Sequence, residues 1–76
     1  MNRIRRKQLE KLTEKIEELQ EELEEIAEAE EEARDNMPES LWESERYETM
    51  DEACDNLNAA LDSLEEVADS IADAIA

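Results

Sequence analysis

Apolar residues recur in the first half of the chain at alternating spacings of three and four. They are Leu9, Leu12, Ile16, Leu19, Leu23 and Ile26. This is the a/d pattern of a heptad repeat, in which one stripe of an α-helix packs against a neighbouring helix. No Pro or Gly interrupts the region. The pattern predicts a first helix over about residues 2–35, with this row in the seam between helices.

A second row with the same spacing begins at residue 47. Its members are Tyr47, Met50, Cys54, Leu57, Leu61, Leu64, Ala68, Ile71 and Ile75. A parallel row lies beside it, with members seven residues apart: Ala53, Ala60, Val67 and Ala74. The pattern predicts a second helix over about residues 44–75. Its apolar stripe covers heptad positions a, d and g, which is wider than one neighbouring helix requires.

The two predicted helices are separated by a turn over about residues 36–43. Pro38 cannot continue the first helix, because proline lacks the backbone N–H and disfavours helical geometry before it. Ser40 with Glu43 has the spacing of a capping box, and Ser44 is a second N-cap candidate that we favour. A connection this short makes the helices antiparallel neighbours. We therefore expect one all-α domain over residues 1–76, an antiparallel two-helix coiled-coil hairpin.

The oligomeric state is open between a monomer and a homodimer. A lone hairpin of this size has only a thin core. The surplus apolar row of the second helix could be buried against a second copy, giving a four-helix bundle. We expect the homodimer.

The chain carries a net charge of −17. This charge disfavours direct binding to nucleic acid or to anionic membranes, and it favours a basic protein partner. Residues 1–15 are the exception, with six basic and two acidic residues. In an antiparallel hairpin we expect this basic segment to lie beside the acidic end of the second helix and attract it.

The composition argues against catalysis. The chain has no His, no Gly and a single cysteine, Cys54. It therefore lacks the commonest general base, a Cys–His nucleophile pair, a zinc-ligand set and a phosphate-binding loop. We expect no enzyme activity, no metal site and no cofactor. An unpaired cysteine, and the absence of a signal peptide or an apolar segment of ~20 residues, lead us to expect a cytoplasmic protein.

Two groups of residues are candidates for partner binding. Ten of the sixteen residues from Glu17 to Glu32 are Glu. The candidate acidic face comprises Glu17, Glu18, Glu21, Glu24, Glu25, Glu28, Glu31 and Glu32. The candidate anchor near the turn comprises Leu41, Trp42 and Tyr47, since Trp and Tyr are enriched in binding hot spots. The alternatives are that the carboxylates only keep the protein soluble and that the aromatic residues only close the end of the core.

The turn Asp35–Leu41 and the basic start Met1–Lys7 resemble segments of small acidic hypothetical proteins carried by phages and prophages of Gram-positive gut bacteria. The repeat from Asp55 to Glu66 is also similar. The resemblance implies a phage setting and supplies no catalytic residues. Two functions follow as hypotheses. One is a non-enzymatic inhibitor that presents a nucleic-acid-like acidic surface to a host defence or nucleic-acid-binding protein. The other is a structural coiled-coil module for self-association or phage assembly.

Overall fold

The computed structural model describes all 76 residues and contains two long helices. Helix α1 spans Arg3–Asp35, a 3-10 turn spans Glu39–Leu41, and helix α2 spans Glu45–Ile75. The helices pack side by side in opposite directions, so the predicted all-α antiparallel hairpin is confirmed. The molecule measures 59 × 15 × 13 Å. Its radius of gyration is 17.3 Å, whereas a compact protein of this length has about 11 Å. Neither helix holds a segment apolar and long enough to span a membrane.

Side-chain caps determine where both helices begin. The Asn2 Oδ1 accepts a hydrogen bond of 2.8 Å from the Arg5 N–H at the start of α1. The Ser44 Oγ accepts one of 3.2 Å from the Tyr47 N–H at the start of α2. Each bond satisfies a backbone donor that has no partner within the helix. Of the two predicted N-cap candidates for α2, Ser44 is therefore the one used.

The interface between the helices differs from the predicted seam. With Leu9 at position a, the half-buried or buried residues of α1 belong mainly to the a and e rows: Leu9, Thr13, Ile16, Gln20, Leu23, Ala27, Glu30 and Arg34. Glu31, which follows Glu30, is also half-buried. The expectation that the d row lies in the seam is wrong. Leu12, Leu19 and Ile26 are 46 %, 52 % and 59 % exposed.

Two features explain why the interface is centred between the a and e rows of α1. One is the small side chain of Ala27, and the other is the contact of Arg34 with α2. A single neighbour covers only a narrow arc of a helix, and here the arc is centred between the a and e rows. The small side chain of Ala27 permits close approach, and only Ala27 and Cys54 are fully buried. Arg34 Nη1 lies 2.8 Å from Asp51 Oδ1. These contacts on the e side leave the d row at the edge of the interface.

The predicted attraction between the basic segment and the acidic end of α2 forms no direct ion pair. Both ion pairs of the structure involve Arg34, with Asp35 and with Asp51. The remaining polar link between the helices is a 3.0 Å hydrogen bond from Asn58 Nδ2 to Glu31 Oε1. The six basic residues of the first fifteen therefore have no carboxylate within 4.0 Å, so any attraction between the two segments acts over a longer distance than a salt bridge.

Candidate protein-interaction surfaces

One long side of the hairpin is acidic. A groove between the helices is lined there by Glu17, Gln20, Glu21, Glu24, Leu61, Asp62 and Glu65. The structure thus brings together three of the eight candidate carboxylates of α1. It adds two from α2 that the sequence had not assigned to this surface. The antiparallel register explains why these two α2 carboxylates join the groove. Arg34 pairs with Asp51, and two heptads further from the turn Gln20 of α1 lies at the level of Glu65 of α2.

The other five candidate carboxylates do not line this groove. Glu18, Glu25, Glu28 and Glu32 are exposed on α1. Glu31 is half-buried and accepts the hydrogen bond from Asn58. Glu31 therefore also helps to fix the packing of the helices, while the other four are free to meet a partner.

The opposite side of the hairpin is apolar. We define the apolar face as Leu12, Leu19 and Ile26 of α1 with Ala53, Ala60, Val67 and Ala74 of α2. Leu19 and Ile26 border one shallow groove with Leu64, and Val67 and Ala74 border another with Leu9. Leu9 also borders a groove with Leu12. The rest of that groove is polar, so polar and basic side chains flank the apolar face at the start of α1: Arg5, Gln8, Lys11 and Lys15. Val67 is 48 % exposed, close to the exposure of the α1 row.

Helix α2 carries few charges beside the apolar face, and Glu66 is the one ionisable α2 residue that borders its grooves. The row that flanks the apolar face on α2 is small and uncharged: Thr49, Asn56, Ser63 and Ser70. Neither this row nor the row from Ala53 to Ala74 contains an ionisable side chain, although 43 % of the residues in the chain are charged. Small uncharged side chains let another helix approach closely without desolvating a charge.

Two aromatic residues near the turn lie close to each other. The ring centroids of Trp42 and Tyr47 are 6.1 Å apart, with the planes tilted by 32°. Trp42 Nε1 donates a 2.9 Å hydrogen bond to the Met37 carbonyl. Trp42 and Leu41 are 43 % and 45 % exposed, and Tyr47 is half-buried. In the candidate anchor the ring of Tyr47 is thus half-buried, whereas Trp42 and Leu41 remain accessible.

Cys54 is buried between the helices. Burial raises the pKa of its thiol, and the nearby Arg34 partly opposes the shift. The hydrogen bond from Arg34 to Asp35 raises the pKa of the guanidinium, which stays charged. A buried thiol with a raised pKa is poorly nucleophilic, so Cys54 acts as a small apolar residue of the core.

Comparisons with known proteins give no match. No family model matches the chain, and no curated protein or solved structure matches it. Within the chain, the structure groups no three side chains of His, Cys, Asp or Glu in a geometry that could hold a metal ion.

Proposed function

We propose that the chain is a non-enzymatic protein-binding module that docks through its apolar face. The supporting observation is the row of large aliphatic side chains left half exposed on one side of the hairpin, Leu12, Leu19, Ile26 and Val67. Contiguous exposed apolar surface in a soluble protein marks an interaction site.

The magnitudes favour the apolar face over the acidic one as the source of affinity. Fully burying an aliphatic side chain contributes about 1.5–3 kcal/mol. Because Leu12, Leu19, Ile26 and Val67 are each about half exposed, a partner could still bury about half of each side chain. The burial free energy available to the partner is therefore on the order of 3–6 kcal/mol in total. An exposed ion pair contributes only about 0–1 kcal/mol and weakens with salt. At physiological salt the acidic face therefore adds specificity and faster association more than binding strength.

Site-specific photo-crosslinking tests this proposal. A photoreactive residue in place of Leu19 is expected to give a discrete protein adduct when the chain is expressed in a bacterial host. The matched control places the same residue at Glu18, which is the preceding position and faces away from the apolar face. Equal or no crosslinking from both positions would contradict docking through the apolar face.

A second candidate function uses the acidic face. Glu17, Glu21 and Glu24 of α1 converge with Asp62 and Glu65 of α2 on one groove. Carboxylates four residues apart are separated by ~6 Å along a helix axis. This is of the same order as the ~3.4 Å axial step between phosphates of one DNA strand. With the resemblance to phage proteins, this supports an inhibitor that imitates nucleic acid and binds a basic host protein.

Capture from a host lysate at low and high salt tests the acidic-face candidate. The expected result is a nucleic-acid-binding protein that is retained at low salt and released at high salt. Capture should be lost after exchange of four carboxylates for amides, at Glu21, Glu24, Glu25 and Glu28. It should persist after the same exchange at Glu10, Glu14, Glu66 and Asp69, which changes the net charge equally. Recovery that does not depend on salt, or equal loss in both variants, counts against this candidate.

A further inference from the structure

The hairpin exposes more surface than a folded monomer of its mass. Its accessible surface is 6025 Å² for 8.8 kDa. A compact monomer of that mass exposes about 4,800 Å². A stable protein–protein interface removes about 800 Å² from each partner. The excess surface is therefore sufficient for one interface of ordinary size, and the apolar face is the part of the surface suited to it.

The apolar face is complementary to itself. Its α1 side carries bulky side chains, and its α2 side carries three alanines and one valine. The pairing of Arg34 with Asp51 fixes which residues of α1 and α2 lie at the same height along the long axis of the hairpin. Steps of seven residues from this pair place Leu19 close to the level of Val67 and Ile26 close to the level of Ala60. Each bulky residue of α1 therefore has an alanine or a valine of α2 at nearly its own height.

We propose that the occupant of the apolar face is a second copy of this chain, related by a two-fold axis parallel to the long axis of the hairpin. This inference rests on the proposed function of the apolar face and names its partner. Such a rotation leaves every residue at its own height and places α1 against α2 of the second copy. Leu12, Leu19 and Ile26 then meet Ala74, Val67 and Ala60 of the second copy. The product is a four-helix bundle in which adjacent helices run in opposite directions.

Charge supports the same arrangement. The basic side chains of residues 1–15 form no ion pair within the hairpin. In the proposed dimer this segment lies beside the end of α2 from the second copy. Arg5, Lys11 and Lys15 border the groove at Leu12, and Glu66 borders the groove at Val67. The opposed directions of α1 and α2 also place the positive end of each helix dipole beside a negative one. A two-fold axis across the helices would instead stack α2 on α2, bringing two acidic helices together.

Analytical ultracentrifugation tests whether the second copy binds. The expected species at micromolar concentration has twice the mass of one chain. Replacing Leu12, Leu19 and Ile26 together by Gln should raise the dimer dissociation constant at least ~100-fold, or about 2.8 kcal/mol at 1.4 kcal/mol per tenfold. Ile4→Gln is the control, because Ile4 is an exposed aliphatic residue of α1 outside the apolar face, and it should leave the constant unchanged.

Two checks separate loss of the dimer from loss of the fold. Circular dichroism of the triple variant should retain the helical signal. Val67→Gln, which changes only α2, should weaken the dimer in the same direction. A dimer constant that is equal in the wild type, the triple variant and Val67→Gln would overturn the use of the apolar face.

Disulfide trapping tests the arrangement. In a Cys54→Ala background, mixing Leu19→Cys with Val67→Cys should give a cross-linked heterodimer under mild oxidation. Leu19→Cys alone should not cross-link, because the two copies of α1 lie diagonally and beyond the ~7 Å between Cα atoms that a disulfide tolerates. Efficient cross-linking of Leu19→Cys with itself would overturn the proposed axis.

The outcomes also distinguish this inference from the proposed function. A wild-type protein that stays monomeric at about 1 mM, where even a dimer held by only about 4 kcal/mol would form, overturns the proposal of a second copy. If crosslinking from Leu19 then yields an adduct with another protein, the apolar face remains a docking surface. If crosslinking from Leu19 yields no adduct, both proposals fail.

Discussion

Replacing Ala27 by leucine should force the two helices apart where Ala27 is buried between them. Ala27 is 2 % exposed, and it lies on the side of α1 that faces α2. Adding three carbons where no space is available costs about 1–3 kcal/mol through displaced backbone and unfavourable rotamers. A domain of 76 residues has a total stability of about 4–11 kcal/mol. The substitution should therefore remove a substantial part of it, and lower the melting temperature by about 4–8 °C for each kcal/mol.

Urea unfolding followed by circular dichroism measures the effect, at one protein concentration for all variants because association raises apparent stability. The control is Ala59→Leu, the same substitution at an exposed position of α2. It should leave the unfolding midpoint within about 0.5 kcal/mol of the wild type. If Ala27→Leu is as stable as Ala59→Leu, the close approach of the helices at Ala27 is refuted.

Three further predictions concern the cap, the buried thiol and the ion pair between the helices. Ser44→Ala should cost about 0.5–2 kcal/mol in urea unfolding, whereas Ser40→Ala, which removes no cap, should cost almost nothing. Cys54 should react with a thiol reagent at pH 8 far more slowly in the folded protein than in urea. Because burial raises its pKa in the folded state, its contribution to stability is complete below the unfolded pKa of about 8.5 and lost at higher pH. Melting curves from pH 8 to 10 should show that loss in the wild type and not in Cys54→Ala. Arg34→Gln should lower the urea midpoint, and its effect should shrink in high salt and in an Asp51→Asn background, as expected for an ion pair.

The hairpin could be predicted because the heptad patterns, the short connection and the N-cap residue all indicate two antiparallel helices. Two heptad patterns separated by Pro38 predict two helices, and the short connection predicts that they are antiparallel. Ser44 was predicted as an N-cap from its residue type and position, and the structure confirms it. These are local features, determined by neighbours within a few residues along the chain.

The side of α1 that faces α2 could not be predicted in the same way. A heptad pattern defines an apolar stripe, and it does not specify which edge of that stripe a single partner covers. The d row from Leu12 to Ile26 and the e row with Ala27 flank the same a row. The choice between them depends on contacts across the interface, such as Arg34 with Asp51 and Asn58 with Glu31. The carboxylates that Asp62 and Glu65 add to the acidic groove depend on the same register.

The near absence of a closed interior determines how this protein should respond to random mutation. Only Ala27 and Cys54 are fully buried. Few positions can therefore fail to tolerate substitution merely because the substitution destabilises the single hairpin. In a saturation scan selected for stability, sensitivity should be limited to the helix caps, the contact between the helices and substitutions to proline. In a scan selected for function, any further intolerance at positions that leave the lone hairpin stable would outline the partner's footprint. For this chain a mutational map therefore reports mainly on recognition, whereas in an ordinary globular domain it reports mainly on the core.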